Sequence, residues 1–381
     1  MAHSPGSRVL LRARGLAGAG VEVSPPVLLL ESGRILALGQ EALERGRGAA
    51  CRDLGDSWLC PAPLDAHVHL CLGGDAAGNL AAWARAGVAA VRDLGHPPAR
   101  DLELPPPGRD LPLVVRSGPG LTRRGPGASW LAQAADTRRD LERLVDERLR
   151  AGVGAIKLFA SGLLDFERPG RVLHPLVLDQ ADMAAVVARA RGSGRPVVVH
   201  ASGVEAVGAA LAAGVDTIEH GFFLDRDTLA QMADRGVSWS PTLVAVEAHR
   251  DDAQGRHDPR IRRNLARIAR DQAEKIRLGH RLGVRLVLGS DSGSYGLAHG
   301  QGLFLEMRAW LQAGIDPHTV FLAATRRAAR VMGLSGQVGE LRPGARDRIM
   351  ACPHDPRQTG KLEREPLWGA RVGELFSRQG D

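Results

Sequence analysis

Lysine is almost missing from this chain. Of 50 basic residues only Lys157, Lys275 and Lys361 are lysine, and arginine supplies the positive charge everywhere else. Four cysteines (Cys51, Cys60, Cys71, Cys352) contain no CxxC pair, and the N-terminus lacks the charged start and unbroken apolar run of an exported protein. No stretch reaches the roughly 18 uninterrupted apolar residues of a membrane span. A reducing cytoplasm is therefore the expected compartment, with no membrane partner. Aromatics are 4% of residues and tyrosine occurs once. The formal charge of +7 and pI near 10.0 come from arginines interleaved with 43 acids, without a lysine-rich tail. Nucleic acid is accordingly not an expected partner. No GxGxxG follows the first long apolar segment, which leaves an open dinucleotide-binding sheet without support.

What is present is a change of texture near Pro63. Residues 8 to 60 carry short alternating pieces broken by Gly and Pro ("RVLLRARGL", "PVLLLESGRILALG", "WLCPAP"), the pattern of a small β unit. Eight apolar runs follow: 64–72, 88–95, 111–118, 154–162, 195–203, 215–221, 237–246 and 284–293. Amphipathic segments such as "ADTRRDLERLVDERLRAG" lie between most of them, which predicts βαβ alternation and a parallel sheet. The expected fold is α/β, a (β/α)8 TIM barrel over 61–337. Residues 1–60 and 338–381 are expected to build a small β-sandwich domain from both chain ends, although the last stretch, "KLEREPLWGARVGELFSRQGD", has no clear reading.

In such a barrel the active site forms at the carboxyl ends of the strands. Strand one carries Asp65, His67 and His69; strand four Lys157; strand five His200; strand six His220; strand eight Asp291. Residues two apart on a strand share a face, so His67 and His69 can grip one ion together. Alone, each strand-end histidine reads as a hydrogen-bonded structural residue, and Asp291 as a turn or cap aspartate. Converging on one mouth, they would be unstable without a cation. Imidazole with carboxylate suits zinc, with manganese, cobalt or iron as alternatives. Lys157 sits in "GAIKLFASG", where a charge is unwelcome. A buried lysine can become a neutral amine and add carbon dioxide to give a bridging carbamate, which arginine cannot do.

These stretches resemble the amidohydrolase superfamily, in its branch of imidazolonepropionase-like proteins and Xaa-Pro or cationic-residue dipeptidases. The resemblance rests on "CPAPLDAHVHL", "VVVHASG", "AVGAALAAGVDTIEHG", "GSDSG" and "AATRRAARVMGL…VGELRPGARD", and spans residues 8 to 356. It implies two divalent metals, most simply zinc. His67 and His69 would bind the more buried one, carbamylated Lys157 would bridge, and His200 and His220 would hold the second. Asp291 would sit on the first metal and serve as general base toward a hydroxide between the metals. A homo-oligomer is also an expectation from relatives, and a small molecule is the expected substrate. The chain departs from the pattern at Ala62 and Leu64, at Arg348, and after strand three, where "GLTRRGPGASW" replaces a Gly-Gly-His.

Tyr295, Arg123 and Arg124 are candidate substrate contacts, against loop packing for the first and solvated loop arginines for the others. His299 and Glu306 fall in the loop and helix after strand eight. The leading reading is a binuclear amidohydrolase acting on a dipeptide-like or N-acyl amino acid amide. A mononuclear deaminase or cyclic-imide hydrolase competes, and Lys157 argues against it. A non-catalytic barrel scaffold ranks last, because all six ligands are kept.

Overall fold

The computed structural model describes residues 8–18, 20, 22–100 and 102–358; Lys361 and the C-terminal stretch read above lie outside them. Alternating apolar residues make the first strands. β1 (Arg8–Arg12), β3 (Val27–Glu31), β4 (Arg34–Leu38) and β5 (Ala50–Asp53) form a sheet in the order β4-β3-β1-β5. β2 (Gly15–Leu16), β6 (Trp58–Pro61) and β17 (Ile349–Cys352) form another, with β17 antiparallel to β6. The inward residues Leu11, Leu28, Ile35 and Leu59 share an apolar cluster with Leu341, Ile349 and Ala351. Burial of each such aliphatic side chain contributes roughly 1.5–3 kcal/mol, so both ends of the described chain stabilise one β-rich core.

All eight predicted apolar runs contain parallel strands: β7 (Leu64–Val68), β8 (Ala90–Asp93), β9 (Leu113–Arg116), β12 (Ile156–Phe159), β13 (Val197–Ala201), β14 (Thr217–His220), β15 (Ser238–Ser240) and β16 (Arg285–Leu286). Runs such as Val197–Val199 are buried throughout, because helices cover the sheet. The helix Arg138–Arg150 shows how the sequence encodes that cover. Thr137 and Asp140 cap each other's backbone, while Leu141, Leu144 and Val145 make the buried stripe.

β7, β8 and β9 form one sheet, and β12 to β16 belong to a seven-stranded one. Backbone bonds tie the two at both edges. Gly154 N donates to Arg116 O at 2.8 Å, Ala66 N to Leu288 O at 3.0 Å, and His69 N to Ser292 O at 2.9 Å.

Three details differ from the sequence reading. The run 237–246 is strand only to Ser240. Pro241 and Thr242, the latter at φ 47°, turn the chain, and the helix Leu243–Asp251 begins. The segment after strand three forms β10 (Gly120–Arg123) and β11 (Ala132–Ala135), which extend the seven-stranded sheet beyond β12. After β12 the chain folds back on itself, with Leu164 bridging Val172 and Leu173 N bonded to Leu163 O at 2.7 Å.

Candidate metal centre

His67 and His69 leave β7 toward the same side, and their Nε2 atoms lie 3.4 Å apart. Asp291 Oδ1 is 3.5 Å from His67 Nε2 and 3.3 Å from His69 Nε2. Register brings the other histidines in. Phe159 of β12 pairs with His200, and Ala201 of β13 with His220. The His200 and His220 ring centroids are then 4.4 Å apart, and those of His67 and His220 5.0 Å. Lys157 is 1% exposed, its Nζ has no hydrogen-bond partner, and its charge acts on His67, His200, His220 and Asp291. All six sequence-marked residues thus gather at one end of the parallel strands.

The neighbours of these histidines decide which ring nitrogen faces the centre. His67 Nδ1 is 2.7 Å from Glu219 Oε2, and Arg92 Nη2 donates to Glu219 Oε1 at 3.0 Å; all three side chains are fully buried. A carboxylate only accepts, so the His67 proton sits on Nδ1 and its Nε2 turns a lone pair inward. His69 Nδ1 meets the Gly95 carbonyl at 2.8 Å, which places a proton on that nitrogen too. His220 Nδ1 is held by Thr242 Oγ1 at 2.8 Å. His200 is held more loosely, with Nε2 3.4 Å from Gly162 O.

Two inward ring nitrogens and a carboxylate oxygen therefore crowd a buried point, where they repel unless positive charge lies among them. This donor set, imidazole with carboxylate, fits a divalent cation such as zinc.

Protonation preferences agree. Burial drives His67 and His220 well below the ordinary histidine value, reinforced by Lys157 at the first and by His200 at the second; burial takes His200 down to about 4. Neutral imidazoles are the ligand form. His69 is the exception: burial pulls it down, but Asp291, Asp93 and the Gly95 carbonyl together raise it. Burial alone would raise Asp291, yet His67, His69 and Lys157 together keep it below the usual aspartate range. Burial lowers Lys157 to about 8, against the pull of Glu219 and Asp291.

The backbone is bent to make these positions. His220 (φ 69°), Thr242 (φ 47°) and Asp291 (φ 60°) all adopt left-handed conformations that cost about 1–2 kcal/mol each. Local bonds hold them there. His220 O accepts from Trp239 Nε1 at 3.0 Å and Gln272 Nε2 at 2.6 Å, while Asp291 N donates to His67 O at 2.8 Å. Gly289 is required by close approach, since a Cβ there would lie 2.4 Å from Ser240 Oγ and 2.7 Å from His67 Cβ.

Asp65 acts as a strut. It accepts from His67 N, Ser290 N and Ser290 Oγ at 3.0, 3.0 and 2.5 Å, joining strands one and eight, and burial raises it to about 7.

The other marked residues have partners of their own. Tyr295 donates its hydroxyl to Asp252 Oδ1 at 2.6 Å and stacks on His249. Arg123 lies 3.6 Å from Asp182, and Arg124 pairs with Asp136 at the surface. His299 accepts from Trp83, and Glu306 receives the amides of Leu243 and Val244, the first turn of the helix carrying the strand-seven loop. Sequence reasoning missed Glu219, Arg92 and Thr242. The available signal was an acid inside a buried strand, Glu219 in "TIEHG".

Two buried histidines and a half-buried aspartate, with neighbouring histidines and a lysine, at the carboxyl ends of parallel strands, define a metal-dependent hydrolase type of centre. The chain belongs to the amidohydrolase family, whose profile matches residues 58–352. It is therefore a hydrolase acting on carbon–nitrogen bonds. An uncharacterized protein of Mycobacterium tuberculosis is 30% identical over 314 residues, 79% of this chain and 80% of that protein. Ochratoxinase of Aspergillus niger is 25% identical over 277 residues, 70% of this chain and 54% of the relative. Among solved structures, a Xaa-Pro dipeptidase with bound methionine superposes with a TM-score of 0.76 at 19% identity, over 95% of this chain and 99% of that one. The fold of such neighbours implies a TIM barrel with a β-rich domain. Among the described residues no helix is long and apolar enough to cross a membrane.

Proposed function

We propose that this protein is a binuclear metal-dependent amidohydrolase that cleaves the amide bond of a dipeptide-like or N-acyl amino acid substrate. The observation that carries the reading is Lys157: a fully buried amine without a hydrogen-bond partner, beside four histidines and Asp291. His67, His69 and Asp291 would hold one cation and His200 and His220 the second. Lys157 would join both as a carbamate, formed when its neutral amine adds carbon dioxide and releases one proton. Two cations held there supply Lewis acidity, polarising a carbonyl and lowering the pKa of water.

The chain's own groups do the rest. Asp291 keeps its carboxylate ionised, so it accepts a proton from attacking water and passes it to the departing nitrogen. Water adds across the C–N bond, giving an acid and an amine. Glu219 and Arg92 keep the His67 ring fixed, and Thr242 does so for His220. We also infer that the eight strands close as a (β/α)8 barrel over 61–337, supported by the backbone bonds at both sheet edges, with 1–60 and 338–381 as the small β domain.

The test is hydrolysis of a dipeptide and N-acyl amino acid library by zinc-loaded protein, scored by new amine. Amine release from these substrates is expected. Ammonia released from cyclic or amino-heterocyclic compounds, with the library untouched, would instead select the deaminase or cyclic-imide reading.

A further inference from the structure

Aromatic residues are scarce in this chain, yet four rings meet beside the metal centre. Phe166 comes from the fold-back after strand four, His249 and His257 from the connection after strand seven, and Tyr295 from the loop after strand eight. Tyr295 stacks on His249 with centroids 4.6 Å apart and planes 19° from parallel. Phe166 lies 5.0 Å from the His249 ring and 5.8 Å from that of His257. None of the four residues is fully buried.

The cluster is built as a fixed wall. Asn264 Nδ2 holds the carbonyls of Phe166 and Glu167 at 2.9 and 3.1 Å, and Glu167 pairs with Arg260. His249 Nδ1 meets His257 Nε2 at 2.9 Å, Asp252 anchors the Tyr295 hydroxyl, and the Arg256 guanidinium lies 4.6 Å over the Tyr295 ring.

The wall also adjoins the reacting groups. Ser294, next to Tyr295, bonds the Asp291 carbonyl through both N and Oγ, at 3.1 and 2.7 Å. Helix Leu243–Asp251 starts at Thr242, which holds His220, and ends past His249. Partly buried aromatic residues at a site that must receive an organic substrate invite a flat partner, because ring stacking adds to the gain from burying apolar area.

We propose that Phe166, His249 and Tyr295 form an aromatic shelf that seats a planar aryl group of the substrate, making this enzyme selective for aryl-bearing amides. The selectivity rests on the amidohydrolase reading for its chemistry, and the experiment separates the two.

The experiment compares kcat/KM of zinc-loaded protein for N-benzoylglycine against N-acetylglycine, and for N-acetylphenylalanine against N-acetylalanine. In at least one pair the aryl member is expected to be favoured by about 10-fold or more. Phe166→Ala and the milder Phe166→Leu and His249→Leu should shrink that ratio to about 3-fold or less, with zinc content unchanged. Ratios near one in the parent protein, or ratios that survive all three substitutions, overturn the shelf. If neither pair is hydrolysed, calorimetric titration with benzoate and acetate decides. Tighter benzoate binding that is lost in Phe166→Ala keeps the shelf while the hydrolytic reading falls, and equal binding removes the shelf as well.

Discussion

The two halves of the histidine cluster are held in different ways. On the strand-one side, His67 is backed by a buried carboxylate and guanidinium, His69 by a backbone carbonyl, and the intervening backbone by the Asp65 strut. On the strand-five and strand-six side, the His220 ring has one hydroxyl as its partner, although its carbonyl is held by Trp239 and Gln272, and the His200 ring has only a 3.4 Å contact. The first half has its ring orientations fixed by the protein's own bonds. The second depends more on what joins it to the first, and the residue between them is Lys157. The difference teaches that a well-braced donor set stands next to a looser one; under the proposed function Lys157 would complete the looser one by modification, so the proposed metals should load in order.

The largest break of this asymmetry should come from Lys157→Ala. Amide hydrolysis is expected to fall on the order of 10^3-fold, since several kcal/mol of charge stabilisation would be lost with the bridged cation. Steady-state kinetics at saturating zinc checks this, and near-parental turnover would contradict it. Next, Glu219→Gln leaves shape intact but swaps an acceptor for a donor facing His67 Nδ1. Zinc affinity at the tighter site should drop about 10- to 100-fold, read by chelator competition. A change confined to the weaker site would reverse the assignment of the two halves.

Thr242→Val keeps the branched shape and deletes the bond to His220. Its effect should be smaller, about 10-fold or less, and visible only in the weaker zinc affinity. The smallest effect belongs to pH. Burial, then His257 and Arg256, depress His249 to about 4, against the pull of Asp291 and Asp252. The unfolded chain binds this proton at about 6.5. Native stability from this group is therefore full above about 6.5 and is lost as pH falls toward about 4. In His249→Leu, denaturant midpoints should vary less across that window than in the parent, whereas identical slopes would place the dependence elsewhere.

The same contrast explains what was legible in the sequence. Apolar runs such as "VVVH" and "AIKLF" reveal strands because burial on both faces leaves few other options. The run 237–246 misled past Ser240 because "LVAV" is equally apolar as strand or helix, and only Pro241, the turn at Thr242 and the Glu306 carboxylate at the helix start decide between them. Strands β10 and β11 were hidden in a Gly- and Pro-rich segment. At the site, residue type and strand-end position marked His67, His69, Lys157, His200, His220 and Asp291. Glu219 offered only the signal of an acid inside an apolar strand, and Arg92 offered none, because their meaning lies in a bond between residues 127 positions apart. Phe166 and His249 escaped for the same reason, since only the fold brings them to Tyr295, which its place just after Asp291 had marked as a candidate substrate contact.

The central claim is that Lys157 completes a second cation site. The most direct measurement is zinc per chain by elemental analysis, for parent and Lys157→Ala protein prepared with bicarbonate. The account predicts near two zinc ions in the parent and one in the variant, retained by His67, His69 and Asp291. One zinc in both proteins would contradict it.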